Sequence, residues 1–336
     1  MEEKRFYAGL DMGTKWIYGT IITGDRELHI VKEGKFPCNV EALEGFLGWI
    51  PKNNLSAVIE ACGIWVGIYD HLQTMCSEVK VASPLHTKWI GSSRRKTDKI
   101  DSLKLAILLR GGSIIESYVP DKDTRLFRRK ISHRQGLIAM RTATKNQIHA
   151  VLRQDNITKP EAVKKDVFTK KGTKWLKTLG KNEIDNYLAL MPALDKAIDN
   201  ATGSIAINKF QREIELLKTM PGIGDLTAAT IMSDIGDVKR FKNPKALCSH
   251  SGLVPSVYQS GDKDTKGRIT KEGSAVLRGA LGEAAWAAVK QDCKFKKFFL
   301  HLVENGKSTQ TAITAVRRKM LYIMWIMLTK NQPYVD

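Results

Sequence analysis

Four acids and one serine carry the types and spacing that chemistry would need. Asp11 lies in residues 7–14, YAGLDMGT, at the end of a short apolar run and just before a glycine turn. An acid there can hold a metal ion at the rim of a sheet. The same octet also reads as the Asp-x-Gly-Thr phosphate loop of a sugar kinase or actin-like ATPase, so alone it is ambiguous. Glu60 closes a second apolar run, LSAVI at 55–59. Asp98 and Asp101 lie three apart, hence on one face of a helix that Thr97 can cap. Complementing the helix dipole is the plainer reason for two acids in a first turn. Taken together, Asp11, Glu60, Asp98 and Asp101 would repel one another unless cations neutralise them. Hard oxygen donors select Mg²⁺ or Mn²⁺. Two such ions can clamp the attacking and leaving oxygens of a phosphodiester displacement. Ser260 precedes Gly261 in a polar stretch that reads as a flexible loop, and on its own such a serine is a turn residue.

The elements that must position these residues follow from the apolar pattern. Residues 6–10, 16–23 and 28–35 read as short strands with glycine turns between them. A helix at 40–50, a strand at 55–59, a helix at 65–75 and a strand at 79–82 follow. Three antiparallel strands, then parallel ones separated by helices, is the order of an RNase H-like α/β sheet. From 121 to 152 the pattern is helical and basic, the mark of a long arm or coiled-coil strand. Arg128 and Arg129 are candidate phosphate contacts there, as are Arg94, Arg95 and Lys96 before the Asp98 helix. Residues 156–180 are lysine-rich with breaks at Pro160 and Gly172 and read as a loop-containing connection. A helix over 183–219 would be the arm's antiparallel partner. MPGIG, at 220–224, resembles a helix-hairpin-helix element in which Gly222 and Gly224 let backbone N–H groups approach a phosphate. It reads equally as a glycine turn packing two helices. Helices near 274 and over 308–329 complete the chain.

A length of 336 residues allows two or three domains, and a hydrophobic content of 43% is ordinary for a soluble globular protein. A net charge of +19 is not ordinary. It predicts a polyanionic partner, nucleic acid before an anionic membrane. The five cysteines are scattered without a Cys-x-x-Cys pair, which excludes a zinc ribbon and points to a reducing cytoplasm. The first residues lack the apolar core of a signal peptide, and the apolar segment 320–328 is below spanning length, so no membrane role is expected.

GLDMGT, VIEACG, KTDKIDSLKLA, MPGIG, GLVPSVYQSG and GRITKEGSAVLR occur in this order. Together they resemble transposases of the insertion-sequence family numbered one hundred and ten, relatives of the Piv-type DNA invertases. The resemblance runs over about residues 6–328, without signature from 156 to 208. It implies a RuvC-like (RNase H fold) catalytic domain at 1–118, a helical coiled-coil arm and linker at 119–217, and a mostly helical transposase domain at 218–336. It implies that Asp11, Glu60, Asp98 and Asp101 match the family's metal site and Ser260 its nucleophile. Ser260 would attack a DNA phosphodiester to form a phosphoserine link, with Gly261 allowing close approach of DNA. Arg268, Lys271 and Arg278 are candidate phosphate contacts. The implied partners are donor and target double-stranded DNA, an element-encoded bridge RNA, and further copies of the chain as a dimer or tetramer, with acids and serine drawn from different subunits. The implied setting is the bacterial cytoplasm, at the nucleoid when acting on DNA. Cys62 departs from the threonine common at that turn.

Three other readings stand beside this one. A RuvC-like structure-specific endonuclease would use the four acids and water and would not need Ser260. A non-enzymatic nucleic-acid binder would need only the basic arm and hairpin. A sugar-kinase-like ATPase would need a second phosphate loop and an adenosine motif, and neither is evident; no nucleotide cofactor is expected.

Overall fold

A computed structural model of the chain describes residues 5–25, 27–61, 63, 65–83, 97–206, 208–260 and 263–336, with side chains over 257–266 left aside. It divides into two compact units, 1–119 and 120–336.

The first unit is built on five strands: β1 (Phe6–Met12), β2 (Trp16–Thr23), β3 (Ile30–Pro37), β4 (Leu55–Glu60) and β5 (Glu78–Ala82). Their order in the sheet is β3-β2-β1-β4-β5. β1–β2 and β2–β3 pair antiparallel, whereas β1–β4 and β4–β5 pair parallel, as the element order predicts. Helices α1 (Val40–Leu47) and α2 (Trp65–Met75) cover one face, and α3 (Asp98–Arg110) covers the other. Period-two alternation decides which side chains meet which helix. Ala8, Leu10 and Met12 of β1 join Leu55, Ala57 and Ile59 of β4 in the core under α1 and α2. Tyr7 of β1 and Val58 of β4 face α3, where they meet Leu105 and Leu109.

Gly9 is what lets α3 lie so close. A Cβ at this position would run into the Ser102 carbonyl oxygen and stand 2.5 Å from the Ala106 nitrogen, both backbone atoms of α3. Helix backbone cannot yield as a flexible side chain can, so Gly9→Ala is expected to lift α3 off the sheet. Overpacking of this kind costs about 2–3 kcal/mol, enough to lower the thermal midpoint of this unit by roughly 10 °C. Calorimetry or circular dichroism melting checks it; an unchanged midpoint would contradict the packing described. A second tie is the buried 2.7 Å hydrogen bond between the Thr20 and Ser102 hydroxyls, joining β2 to the same helix.

In the second unit, α4 (Lys122–Gln154) is a single helix of 33 residues, about 50 Å long at 1.5 Å per residue. After it come α5 (Lys170–Thr178), α6 (Asn182–Ile205), α7 (Gln211–Lys218), α8 (Asp225–Ile235), α9 (Pro244–His250), the hairpin β6 (Pro255–Ser260) and β7 (Lys263–Ile269), α10 (Ala275–Ala288), α11 (Lys294–Glu304) and α12 (Thr309–Lys330). α6 runs antiparallel along α4. Lys130 donates to the Ser204 carbonyl (2.8 Å) and Arg134 to the Thr202 hydroxyl (2.7 Å), while Lys181 pairs with Asp155 at the far end (3.1 Å).

Three expectations change here. The connection over 156–180 contains a helix, α5, capped by the Thr169 hydroxyl on Gly172 N–H. The helix expected over 183–219 is two helices, parted at Asn208. That side chain donates to the Ile205 carbonyl (3.0 Å) and accepts from Phe210 N–H (2.8 Å), replacing helical hydrogen bonds with local ones. Ser260 ends a strand rather than lying in a loop, and its backbone pairs with Lys263. Among the described residues, no helix is long and apolar enough to cross a membrane.

Candidate active site

Register brings the four acids to one corner of the first unit. Leu10 of β1 pairs with Ile59 of β4 in parallel, so Asp11 and Glu60 are the next residues on neighbouring strands. Alternation puts both on the α3 face, because Gly9 and Val58, two residues earlier, lie on that face. α3 runs back along β1. Arg110, its last residue, donates to the Asp25 carbonyl (3.3 Å), near the start of β1. Lys99, in its first turn, pairs with Glu33 of β3 (2.5 Å). The first turn with Asp98 and Asp101 therefore lies at the Asp11 end of the sheet. Thr97 fixes where the helix begins by accepting from Ile100 N–H (3.3 Å).

All four donors are carboxylates, a set that suits a hard divalent ion. Asp11, Glu60 and Asp101 are half-buried and Asp98 is exposed. Asp101 also has Lys104 within 3.8 Å. Among the described residues, no three His, Cys, Asp or Glu side chains stand close enough to hold an ion. The acids share a corner and a face without converging on a point. Arg94, Arg95, Lys96, Cys62 and Gly261 lie outside the described residues.

In the second unit the hairpin carrying Ser260 is clamped at its base. Thr270 N–H donates to the Val254 carbonyl (2.9 Å) and Lys271 N–H to the Gly252 carbonyl (3.1 Å). Lys271 adopts φ +57°, a costly conformation for a residue with a Cβ. Arg268, Lys271 and Arg129 are exposed. Arg278 donates to the Ser251 and Gly273 carbonyls (3.2 and 2.9 Å), so it braces the same base. Arg128 donates to the Ser233 and Asp234 carbonyls (2.6 and 2.7 Å), a cap on the end of α8. These bonds favour a structural use for Arg128 over a phosphate contact. Gly222, at φ +83°, faces α10 so closely that a Cβ would meet the Ala284 carbonyl oxygen and the Ala288 nitrogen. That packing alone requires glycine. Gly224 caps α8 with open space beside it.

One cluster went unnoticed in the sequence. The Asp234 carboxylate meets His250 Nε2 at 2.9 Å, and Arg240 lies 3.2 Å from the same ring nitrogen. Burial pushes the Asp234 carboxyl up. Hydrogen bonds from His250 and Ser274, with the nearby His250 and Arg128 charges, outweigh it and hold the group below the usual carboxylate range. His250 precedes the hairpin and Ser274 follows it, so one carboxylate ties both ends of the segment bearing Ser260. No sequence spacing announced this, since Asp234, His250 and Ser274 belong to three different helices or their caps.

Comparison with known proteins agrees with both units. Residues 8–156 match the DEDD_Tnp_IS110 family model, described as a transposase. Residues 214–300 match the transposase IS116/IS110/IS902 family model. The chain is 25% identical over 289 residues to the transposase for insertion sequence element IS1111A of Coxiella burnetii, covering 82% of this chain and 78% of that one. It is 26% identical over 288 residues to the pilin gene-inverting protein of Moraxella bovis, covering 84% and 82%. A transposase for insertion sequence element IS1328 of Yersinia enterocolitica is 25% identical over 276 residues, covering 78% and 80%. The matched models and these relatives are transposases and a gene-inverting protein, a class of DNA-rearranging enzymes. The chain belongs to the IS110 family of transposases.

Proposed function

We propose that this transposase cuts and rejoins donor and target DNA through a covalent link to Ser260, with Asp11, Glu60, Asp98 and Asp101 as its metal-binding acids. What supports this most is the shared corner: two neighbouring strand ends and one helix start, each contributing carboxylates on one face. Divalent ions bound by these acids would stabilise charge on the attacking and departing oxygens. The Ser260 hydroxyl loses its proton as its oxygen bonds to phosphorus. The strand's own P–O bond breaks, and the departing deoxyribose oxygen takes a proton. One phosphoester replaces another, so rejoining needs no ATP. Arg268 and Lys271 at the hairpin base, with Arg129 and the amide of Gly224, are the surface groups suited to the DNA backbone. The RuvC-like and transposase domains, the coiled-coil character of the arm and assembly of the composite site from several subunits belong to the same reading.

The choice of sites is assigned to a structured RNA encoded beside the gene. Recombination between donor and target plasmids is expected only when the flanking noncoding DNA is transcribed. Changing the RNA's pairing loops should redirect the target. Recombination by purified protein with DNA alone, at the same rate and site, would contradict RNA guidance and leave the serine chemistry untouched.

A further inference from the structure

The family matches end at residue 156 and resume at 214, so residues 157–213, which complete the far end of the arm, fall outside both. That end has a core of its own. Ile148 and Leu152 of α4 pack with Val163, Val167, Leu176, Ile184 and Leu188. Around it, residues 156–181 carry eight lysines against two acids, Glu161 and Asp166. Lys164 pairs with Glu161 and Lys181 with Asp155. Lys165, Lys170, Lys171, Lys174 and Lys177 are exposed. A small core dressed in one sign of charge is what a head for a polyanion requires.

A cavity of about 400 Å³ opens beside this core, within the range of small-molecule sites. Leu152 and Ile157 give it an apolar floor, and Asn146, His149, Arg153, Asn156 and Lys159 line it, with no acid among the lining residues. Burial, then the Lys159 and Arg153 charges, push His149 below the usual imidazole range. Arg153 and Lys159 are the charged groups of the lining, which suits an anion. The apolar floor suits the face of a base, the two amides suit its edge, and Arg153 and Lys159 suit a phosphate.

We propose that the far end of the arm binds single-stranded nucleic acid, the cavity taking one unpaired nucleotide while the outer lysines hold the flanking phosphates. The partner follows from the chain's membership of a DNA-transposing family and does not depend on the role of Ser260. The strand has two sources, a guide RNA or a displaced DNA strand, and the experiment separates them.

Fluorescence anisotropy with the full chain would use a labelled single-stranded RNA, the DNA of the same sequence and the matching DNA duplex. The double variant Asn146→Leu/Asn156→Gly removes both amides at constant charge, and glycine accepts the φ of +52° found at position 156. It is expected to weaken single-strand binding about ten-fold, the effect of roughly one lost bidentate contact, with duplex binding within about two-fold. Lys170→Gln/Lys171→Gln/Lys174→Gln is expected to lower the salt dependence of single-strand binding by about two units of slope. A larger loss with RNA identifies a guide as the source; a larger loss with DNA identifies a displaced strand. Unchanged single-strand binding in the amide variant, or an equal loss on duplex, would overturn the proposal. Binding is read without strand cleavage, so this result stands apart from any result at Ser260.

Discussion

Ser260→Ala is expected to abolish strand cleavage and covalent capture of DNA, by about 10⁴-fold or more, while binding of DNA changes less than about two-fold. Ser260 ends β6 where the hairpin turns, a position held by backbone pairing with Lys263 and by the base around Gly252 and Lys271. Ser260 joins the hairpin through its backbone, which alanine retains, so the fold should be unaffected. A hydrolase that activates water at the four acids would lose nothing with this hydroxyl. Cleavage by the variant at the wild-type rate would therefore move this chain from serine transfer to water-dependent cutting.

The second large effect is expected at Asp11. Asp11→Asn keeps the shape of the side chain and removes its charge. If Asp11 is a metal-binding acid, cleavage should fall by about 100-fold or more, beyond the loss typical of groups that only orient a ligand. DNA and RNA binding should persist, because a surplus of 19 positive charges carries it. The melting midpoint should stay within a few degrees of wild type, unlike that of Gly9→Ala. Undiminished cleavage by Asp11→Asn, measured across a Mg²⁺ titration, would remove this acid from the chemistry.

The first unit could be read from the sequence because β1, β2 and β4 are short, largely buried apolar runs bounded by turn residues or an acid. Ala8, Leu10 and Met12 mark one face of β1, and a glycine and an acid mark the other. What could not be read was how close α3 comes. Gly9 was visible as a strand glycine, a sign of close approach, but the approaching backbone of Ser102 and Ala106 lies about ninety residues on. The hairpin of Ser260 escaped notice for a different reason. Its strands, VYQS and KDTKGR, show no apolar alternation in sequence, and their backbones pair antiparallel. α5 was hidden by its lysines, since only Trp175 and Leu176 of the helix turn towards the small core. Arg128 looked like one more cation on a basic helix, and only tertiary structure shows its guanidinium on the end of α8.

The most direct test is to trap the protein on a cleavable DNA substrate, digest the adduct with protease and nuclease, and sequence the modified peptide. The account predicts a nucleotide attached through phosphate to Ser260, with no adduct from Ser260→Ala. Cut DNA bearing an oxygen from solvent water at the cleaved phosphate, with no protein attached, would contradict it.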